Sequence, residues 1–380
     1  MPNKRRSHGE GSVTARGKNK WRLRYDGSIG ADGKRNQVSE TVRGTKSDAL
    51  ETLRERIRSI DTGLYVERQT QTVAEYLNWW LGVHKNNIAP ATAQSYSSIV
   101  RQYLAPSIGG VELQRLEPNQ IQSLYSDIAD RGLKCGPHIH RVLRKALNDA
   151  VRLGMIVRNP AVSVLAPKLR KPEIKAWDAR EFNKFLGAAS NSEFCDFFEF
   201  SVHTGMRRSE ITGLRWKNVD LTAGIVRVVE TLKRVSGQGL VVGAPKTERA
   251  SRRSIVLGNT AIQLLKRVRV EQSENLLAMG SVYEDRGYVF TDGLGKPRDA
   301  DQATKEFKRI VRSINLPDVT LHSLRHTHAS LLIEQGTHVK VLSERLGHAS
   351  VAFTMDTYAH LLPGLQQQAA DAIDRSLASG

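Results

Sequence analysis

Long apolar runs, cysteine and acidic side chains are all scarce in this chain of 380 residues. No stretch approaches the roughly 18 consecutive apolar residues that a membrane-spanning helix needs, so we expect no membrane-embedded segment. The first residues, Met-Pro-Asn-Lys-Arg-Arg, lack the apolar stretch of a secretory signal peptide. These absences argue against a membrane or exported protein and favour a cytoplasmic one.

Cysteine occurs only at Cys135 and Cys195, which are far apart in the sequence. Two isolated cysteines are more typical of free thiols in a reducing compartment than of a disulfide framework. The chain also lacks an internal repeat of the period found in solenoid proteins. We therefore expect ordinary globular domains, two or three for this length.

Acidic residues are outnumbered, with 39 Asp and Glu against 57 Lys and Arg, which gives a net charge of +18. Such an excess of positive charge indicates a polyanionic partner, and nucleic acid is the first candidate. A basic ribosomal protein or a membrane-surface protein would share the charge but would not need the motifs described below.

Residues 1–66 form the first predicted domain, a small β-sheet packed on one helix. Apolar and basic residues alternate from Trp21 to Tyr25, which is typical of a half-buried strand. We expect the apolar members to face the helix and the arginines to project from the open face, where they could enter the major groove of DNA. The alternative is a solvated basic face. The candidate DNA contacts here are Lys20, Arg22 and Arg24.

Residues 67–165 form the second predicted domain, which consists of helices. The stretch from His138 to Leu153 directs its apolar residues inward and Arg141, Arg144 and Lys145 outward. These cations are candidates for phosphate contacts, although they could be merely solvated. Residues 166–176 are predicted to be a basic linker rich in proline, and residues 177–380 the last domain, with Asp178 and Glu181 as a capping box at its start.

Six chemically suitable side chains follow one another in the last domain. Arginine can clamp a phosphodiester, because its planar guanidinium makes bidentate, permanently charged contacts. A tyrosine with an ordinary pKa near 10 can attack phosphorus only if its proton is removed. Histidine can accept that proton or donate to a phosphate oxygen, and lysine can protonate the leaving oxygen. The candidates are Arg207 and Arg325 for the clamp, Tyr358 as nucleophile, His322 as proton acceptor, His348 as phosphate donor and Lys246 as general acid.

Each motif has a structural alternative when it is taken alone. Tyr358 could be a packing residue, and a His-x-x-Arg sequence could simply place two side chains one helical turn apart. Thr204-Gly205-Met206-Arg207 could be a helix end followed by a basic helix. The joint occurrence of the motifs, in this order in a basic chain, favours DNA strand transfer.

In these motifs the sequence resembles the tyrosine recombinases, also called the phage integrase family. Thr204 to Glu210 is similar to the first arginine box, in which Glu210 supports the site. Pro245-Lys246-Thr247 resembles the catalytic-lysine hairpin, Leu321 to His326 the His-x-x-Arg box, and Leu346-Gly347-His348 the third histidine position. Met355 to Tyr358 resembles the nucleophile box. All six catalytic positions of the family are filled by standard residue types.

The resemblance implies a multidomain, mainly α fold. It comprises a small N-terminal three-stranded β-sheet with a helix, which would bind arm-type DNA sites, a helical domain that would bind core-type sites, and an α+β catalytic domain. It further implies a 3′-phosphotyrosyl intermediate, strand exchange by a homotetramer through a Holliday junction, and no need for ATP, a metal or another cofactor. A DNA-bending protein and an excisionase are possible partners, and the site of action would be the nucleoid of a bacterial host.

Two further features are interpreted against this background. His322, His326 and His328 suggest a metal site, but the intervening arginine and the complete recombinase set argue against one, and His326 and His328 are expected to be structural. After Tyr358, an apolar stripe at helical spacing could pack on its own domain or on a neighbouring protomer, and docking on a neighbour is favoured.

The leading hypothesis is the integrase of a phage or integrative element, which integrates it and, with an accessory factor, excises it. A resolvase or inversion enzyme of the same chemistry is the alternative, but such enzymes generally lack the N-terminal sheet domain. A non-catalytic DNA-binding protein of the same fold would not need all six catalytic positions. A relaxing enzyme of the topoisomerase kind would share the tyrosine chemistry without a tetramer.

Overall fold

The computed structural model describes residues 11–29, 35–62, 65–66, 69–168, 175–235, 237–244 and 252–358, with short pieces at 370–371, 373–374 and 377–378. The chain divides into two compact units, residues 1–170 and 171–380. The N-terminal three-stranded sheet, the helical segment and the mostly helical second unit with short strands agree with the predicted fold class. The finer limits of the three domains stay a prediction.

An antiparallel sheet in the order β1-β2-β3 begins the first unit and packs on helix α1. The sequence predicts that Thr45 or Ser47 caps α1, and the structure selects Thr45. Its side chain accepts from the backbone N–H of Asp48, and the Asp48 side chain accepts from the backbone N–H of Thr45, so a capping box starts the helix. The sequence also allows Gly63 to end this helix, but Gly63 lies outside the described residues. The elements are β1 (Ser12–Gly17), β2 (Lys20–Ile29), β3 (Arg35–Arg43) and α1 (Lys46–Asp61).

The alternation in β2 sorts its side chains between the two faces of the sheet. Leu23 and Tyr25 are buried against α1, as predicted. Trp21 is only half-buried, and its indole N–H donates to the carbonyl of Gly44, directly after β3, at 3.0 Å. Arg24 is exposed on the opposite face. The sheet therefore has one packed face and one face that is open to a partner.

The rest of the first unit is helical and has its own apolar core. Pro90 occupies the first turn of its helix, where the missing N–H costs no hydrogen bond. A π-helical turn, Val100–Leu104, joins two of the helices. The helices are α2 (Val73–His84), α3 (Pro90–Ile99), α4 (Ala105–Ile108), α5 (Pro118–Asp130) and α6 (Gly136–Arg152).

A buried carboxylate joins α2 to α6 inside this core. Asp149 is 6% exposed and accepts the indole N–H of Trp80 at 2.8 Å. His84 Nε2 lies 3.2 Å from the same carboxylate, and Arg152 donates to its other oxygen. Since a buried indole N–H without an acceptor is costly, this contact fixes how the two helices pack.

A buried tryptophan lies just before the first helix of the second unit. The ring of Trp177 packs on Phe185 and Phe307, with centroids 5.1 and 5.6 Å apart, and its indole donates to the carbonyl of Pro317. Directly afterwards the predicted capping box of Asp178 and Glu181 starts α7. The helices of this unit are α7 (Ala179–Ala188), α8 (Cys195–Thr204), α9 (Arg208–Thr212), α10 (Asn259–Met279), α11 (Ala300–Ser313), α12 (Ser323–Glu334), α13 (Val339–Leu346) and α14 (Val351–Tyr358).

The sequence predicts strands at Ile225 to Val229 and Ser254 to Leu257, joined by a hairpin-like segment, and short strands interrupt the helices at both places. A three-stranded antiparallel sheet has the order β4-β5-β8, and the segment between β5 and β8 forms a separate two-stranded hairpin of β6 and β7. The strands are β4 (Val219–Asp220), β5 (Ile225–Val228), β6 (Thr231–Val235), β7 (Gly239–Gly243) and β8 (Arg253–Val256).

None of the helices in the described part of the chain is long and apolar enough to cross a membrane. Cys135 and Cys195 lie in different units, and both are half-buried free thiols.

Replacing Asp149 tests the contact that joins α2 to α6. We expect Asp149→Ala to lower the free energy of unfolding by about 2 kcal/mol, because it leaves the buried Trp80 N–H without its acceptor. Asp149→Asn should cost less, since its amide oxygen can still accept. The exposed Asp127→Ala on α5 is the control and should change stability by less than about 0.5 kcal/mol. Urea titration of the full chain measures the difference, and equal stabilities for the alanine variants would contradict the assignment.

Candidate active site

Arg207, the first arginine of the site, follows the turn at the end of α8. Buried phenylalanines hold α8 in the core, and the helix ends at Gly205 with φ of 63°, in the left-handed region that favours glycine. A Cβ at this position would also lie 2.5 Å from the ring of His328. The chain therefore turns sharply here, and Arg207 follows at the start of α9.

Arg325 joins three of the sequence motifs through its guanidinium. Its side chain is buried, and it donates to the carbonyl oxygens of Gly205 and Leu346, each at 2.6 Å. Burial, and next the charge of Arg207, lower the pKa of Arg325 to about 9, so it remains charged at neutral pH. The Thr-Gly-Met-Arg turn and the Leu-Gly-His turn are thus held to the same side chain.

A buried carboxylate balances the arginines. Glu210 is 1% exposed and accepts from Arg207 Nη1 at 2.7 Å and from Arg253 Nη2 at 2.9 Å. Burial by itself would raise the pKa of Glu210, but the charges and hydrogen bonds of Arg253 and Arg207 outweigh it, and the net shift is downward. Arg207 also donates to the carbonyl of Gly347 at 3.2 Å, so it has the support from Glu210 that the resemblance implied.

Tyr358 lies at the end of α14 with its ring enclosed by α12 and α13. It is 1% exposed and packs with Ala329, Ile333 and Leu346. Its hydroxyl lies 2.9 Å from Nδ1 of His326. Burial raises the pKa of Tyr358 to about 12, and the charge of Arg325 opposes this shift. The phenol is therefore protonated at neutral pH.

His322 stands at the N-terminus of α12 and is exposed. The protein around its ring, and next the charges of Arg325 and Arg207, lower the pKa of His322 to about 4. Its ring meets that of His326 edge to face, with centroids 5.1 Å apart. Within the described residues no hydrogen bond joins His322 to Tyr358, the contact that its predicted role as proton acceptor would use.

His348 lies on the other side of the tyrosine. Its ring is 6.4 Å from the Tyr358 ring between centroids, and its Nδ1 is 2.8 Å from the hydroxyl of Thr354. Burial, and next the charges of Arg325 and Arg207, lower the pKa of His348 to about 3. A neutral imidazole whose Nδ1 faces a hydroxyl can present N–H at Nε2, which suits a hydrogen bond to an anionic oxygen.

His328 has a structural role, in agreement with its prediction. Its Nδ1 lies 2.6 Å from the carbonyl of Val202, so this nitrogen must donate, and Nε2 accepts from Arg345 Nε at 3.2 Å. Burial, and next the charge of Arg345, lower the pKa of His328 to about 3. His328 and Arg345 together connect α13 to α8, because Arg345 also donates to the carbonyl of His203 at 3.0 Å.

The structure brings most of the predicted catalytic residues into one cluster. The members of this cluster are Arg207, Glu210, His322, Arg325, His348 and Tyr358. Lys246, the predicted general acid, and the tail after Tyr358 up to residue 369 lie outside the described residues.

The predicted DNA-contacting residues are in the first unit. Four of them are exposed: Lys20, Arg24, Arg141 and Arg144. Arg22 and Lys145 are half-buried, so less of each side chain is open to a partner than the sequence pattern suggested.

Two residues of the site were missed by the sequence interpretation. Arg253 was not singled out, yet it shares Glu210 with Arg207 and donates to the carbonyl of Arg345 at 2.6 Å. His326 was interpreted as structural, yet it contacts the hydroxyl of Tyr358. The sequence does place His326 directly after Arg325, which could have marked it as a site residue. Its contact with Tyr358, 32 residues away, cannot be identified from spacing. Over the described residues, no group of three or more His, Cys, Asp or Glu is arranged to hold a metal ion.

The neutral state of buried His328 makes stability depend on pH. Below pH 6.5, its ordinary pKa, the unfolded chain binds a proton there that the folded chain does not bind until about pH 3, so stability falls with pH over this range. At pH 5 this site costs about 2 kcal/mol relative to pH 7. The amide of His328→Asn does not titrate. We therefore expect the difference in the free energy of unfolding between pH 7 and pH 5 to be smaller in this variant by about that amount. Urea titrations at the two pH values measure it. An unchanged pH dependence would contradict a neutral His328.

Comparison with known proteins places this cluster in a family. A model described as the phage integrase family matches residues 177–364, and one described as the phage integrase N-terminal SAM-like domain matches residues 72–129. The chain is 29% identical over 351 residues to a XerC-like tyrosine recombinase of Caldanaerobacter subterraneus, covering 87% of this chain and 90% of the relative. It is 27% identical over 337 residues to the ICEBs1 integrase of Bacillus subtilis, covering 88% and 91%.

Solved structures show the same fold. The integrase of the Tn1549 transposon, in complex with a circular intermediate DNA, matches with a TM-score of 0.67 and 22% identity over 80% of this chain and 99% of that one. A lambda integrase tetramer bound to a Holliday junction matches with a TM-score of 0.57 and 17% identity over 89% and 95%. Taken with the family models, these findings show that the chain belongs to the tyrosine recombinase, or phage integrase, family and is a site-specific DNA recombinase.

Proposed function

We propose that this recombinase is the integrase of a phage or integrative element, acting on double-stranded DNA in the cytoplasm of a bacterial host. The names of its relatives support this assignment, because several are integrases of mobile elements. The N-terminal sheet supports it as well, since its open face carries exposed cations that suit a second class of DNA site.

One observation carries the catalytic part of the proposal, namely the position of Arg325 between the two turns. By holding the carbonyls of Gly205 and Leu346, it places Arg207 and His348 around the side of the cluster that contains Tyr358. A structural arginine could satisfy two carbonyls without any such neighbours. Here the neighbours are the residue types that phosphoryl transfer needs.

Arg207 and Arg325 would clamp the non-bridging oxygens of the scissile phosphate. Each guanidinium has five N–H groups, and the described contacts of each leave further donors for an anion. Neutral His348 would donate from Nε2 to the same phosphate, and His322 would do so from the exposed end of α12. Lys246 would protonate the leaving 5′-oxygen, a role that rests on the sequence motif alone.

The reaction would begin with attack of the Tyr358 oxygen on phosphorus. A 3′-phosphotyrosyl bond forms as the bond to the 5′-oxygen breaks, and the 5′-hydroxyl of a partner strand later attacks that linkage. The energy of the phosphodiester is kept in the protein–DNA bond, so neither ATP nor a metal is required. We propose that a homotetramer exchanges the strands of two duplexes through a Holliday junction, with a DNA-bending protein and an excisionase as possible partners.

DNA binding would be shared by the two parts of the first unit. The helical part would hold the core site through Arg141, Arg144 and Lys145 on α6. The sheet would hold an arm-type site through Lys20, Arg22 and Arg24. The limits of these domains are proposed as residues 1–66 and 67–165, with a linker at 166–176 before the catalytic domain at 177–380.

Removing the hydroxyl of Tyr358 tests the catalytic assignment. We expect Tyr358→Phe to abolish covalent complexes with a nicked duplex that spans the junction between element and chromosome, because no oxygen remains to attack. Denaturing gels measure the covalent product, and gel shifts measure non-covalent binding, which should persist.

Tyr125→Phe is the matched control, since Tyr125 is also buried and its hydroxyl also lies 2.9 Å from a histidine Nδ1, that of His140. It should form covalent complexes at the wild-type yield. Covalent product from Tyr358→Phe would refute the nucleophile.

Replacing one exposed arginine tests DNA binding by the sheet. If Arg24 contacts a phosphate, Arg24→Ala should weaken binding to the DNA that flanks the core site and reduce the slope of log K against log salt by about 1. Cleavage at the core site should not change. The control is Arg54→Ala, an exposed arginine on α1. Binding isotherms at several salt concentrations measure the slopes, and an unaltered slope for Arg24→Ala would argue against the contact.

A further inference from the structure

We propose that His326 is a further catalytic residue of this recombinase, the group that accepts the phenolic proton of Tyr358 as its oxygen attacks phosphorus. The inference rests on the proposed role of Tyr358 as nucleophile. It assigns to His326 the function that the sequence pattern had suggested for His322.

The geometry places an acceptor at the reacting atom. His326 lies on α12, its Nδ1 is 2.9 Å from the hydroxyl oxygen of Tyr358, and the ring planes meet at 62°. General base catalysis requires a heavy-atom distance of about 2.6–3.2 Å, so the observed distance is suitable. Tyr358 is 1% exposed, so bulk water has little access to its oxygen. In the neutral tautomer that carries its hydrogen on Nε2, Nδ1 of His326 accepts from the phenolic hydroxyl.

Packing keeps the two side chains together. The Tyr358 ring is enclosed by Ala329 and Ile333 of α12 and by Leu342 and Leu346 of α13. His326 lies one helical turn before Ala329 and Ser330 on α12 and belongs to the same rigid helix. The contact is therefore built by the core of the site and does not depend on a surface loop.

The other two histidines are less suited to accept this proton. Among the described hydrogen bonds, only that of His326 reaches the hydroxyl of Tyr358. His348 Nδ1 already faces the hydroxyl of Thr354, and His322 is exposed at the start of α12. Both histidines can instead donate a hydrogen bond to the phosphate.

The proton and electron movements balance. In cleavage, the Oη–P bond forms, the P–O5′ bond breaks, the phenolic proton moves to Nδ1 of His326, and the leaving oxygen takes a proton from the proposed general acid Lys246. In ligation, the attacking 5′-hydroxyl gives its proton back to Lys246, and the His326 imidazolium returns its proton to the departing phenolate. The phosphate brings negative charge beside Arg207 and Arg325, which favours the transient imidazolium.

Two substitutions separate proton transfer from mere positioning. His326→Ala removes the acceptor, whereas His326→Asn places an amide oxygen near the position of Nδ1, which can accept a hydrogen bond but cannot take the proton. Single-turnover cleavage of the nicked duplex should slow by about a hundredfold or more in both variants. Non-covalent DNA binding and thermal unfolding are measured for each variant, and the asparagine variant preserves the test should the alanine variant fail to fold.

The leaving group provides a second readout, which separates loss of the proton acceptor from loss of the general acid. A duplex with sulfur in place of the bridging 5′-oxygen releases a thiolate, which needs no proton from a general acid. The defect of the His326 variants should therefore persist on this substrate, whereas a defect in Lys246→Ala should be relieved. His140→Asn is the matched control, because it alters the equivalent tyrosine–histidine pair in the first unit, and it should cleave both substrates at the wild-type rate.

Each outcome has one meaning. Loss of rate in both His326 variants, persisting on the sulfur substrate with DNA binding intact, supports the proposal. A wild-type rate in His326→Ala, restored cleavage in His326→Asn, or relief by sulfur overturns it. Covalent product from Tyr358→Phe would instead remove the proposed nucleophile, so a failure of the proposed function is distinguishable from a failure of this inference.

Discussion

The buried guanidinium of Arg325 is the contact on which the active site depends. A charged side chain that is 3% exposed needs hydrogen-bond partners, and two carbonyl oxygens at 2.6 Å accept two of its N–H groups. Those carbonyls belong to Gly205 and Leu346, residues at the ends of two different helices. Because helix C-termini carry partial negative charge, they are suitable partners for a cation. The same contact therefore stabilises the charge and fixes the positions of Arg207 and His348.

Burial and the concentration of positive charge together determine the protonation states of the site. Burial, and next the charges of Arg325 and Arg207, lower the pKa values of His322 and His348, so both rings are neutral near pH 7 and can act as hydrogen-bond donors without adding charge. Glu210 offsets part of this charge and remains ionised because Arg253 and Arg207 bind it. A phosphodiester would supply further compensation. The site is thus electrostatically suited to an anion, and the buried phenol of Tyr358 lies beside it.

Local patterns predicted most of the secondary structure. The alternation in β2 and the capping box at Asp178 depend on neighbours within a few residues. The structure confirms the capping box and the burial of Leu23 and Tyr25. The six motif positions indicated the family, because their chemistry and their order are distinctive when taken together. Trp21 departs from the simple alternation, since it is only half-buried whereas Leu23 and Tyr25 are buried.

The sequence by itself determined the elements, the basic character and the short list of residues able to act on a phosphodiester. Only the tertiary structure decided which of them touch. Arg253 meets Glu210 across 43 residues of sequence, and His326 meets Tyr358 across 32. Such contacts arise from how α9, β8, α12 and α14 pack, and no periodicity along the chain encodes that packing. For this reason His326 resembled a structural histidine in the sequence, and its position beside the tyrosine hydroxyl became visible only in the folded chain.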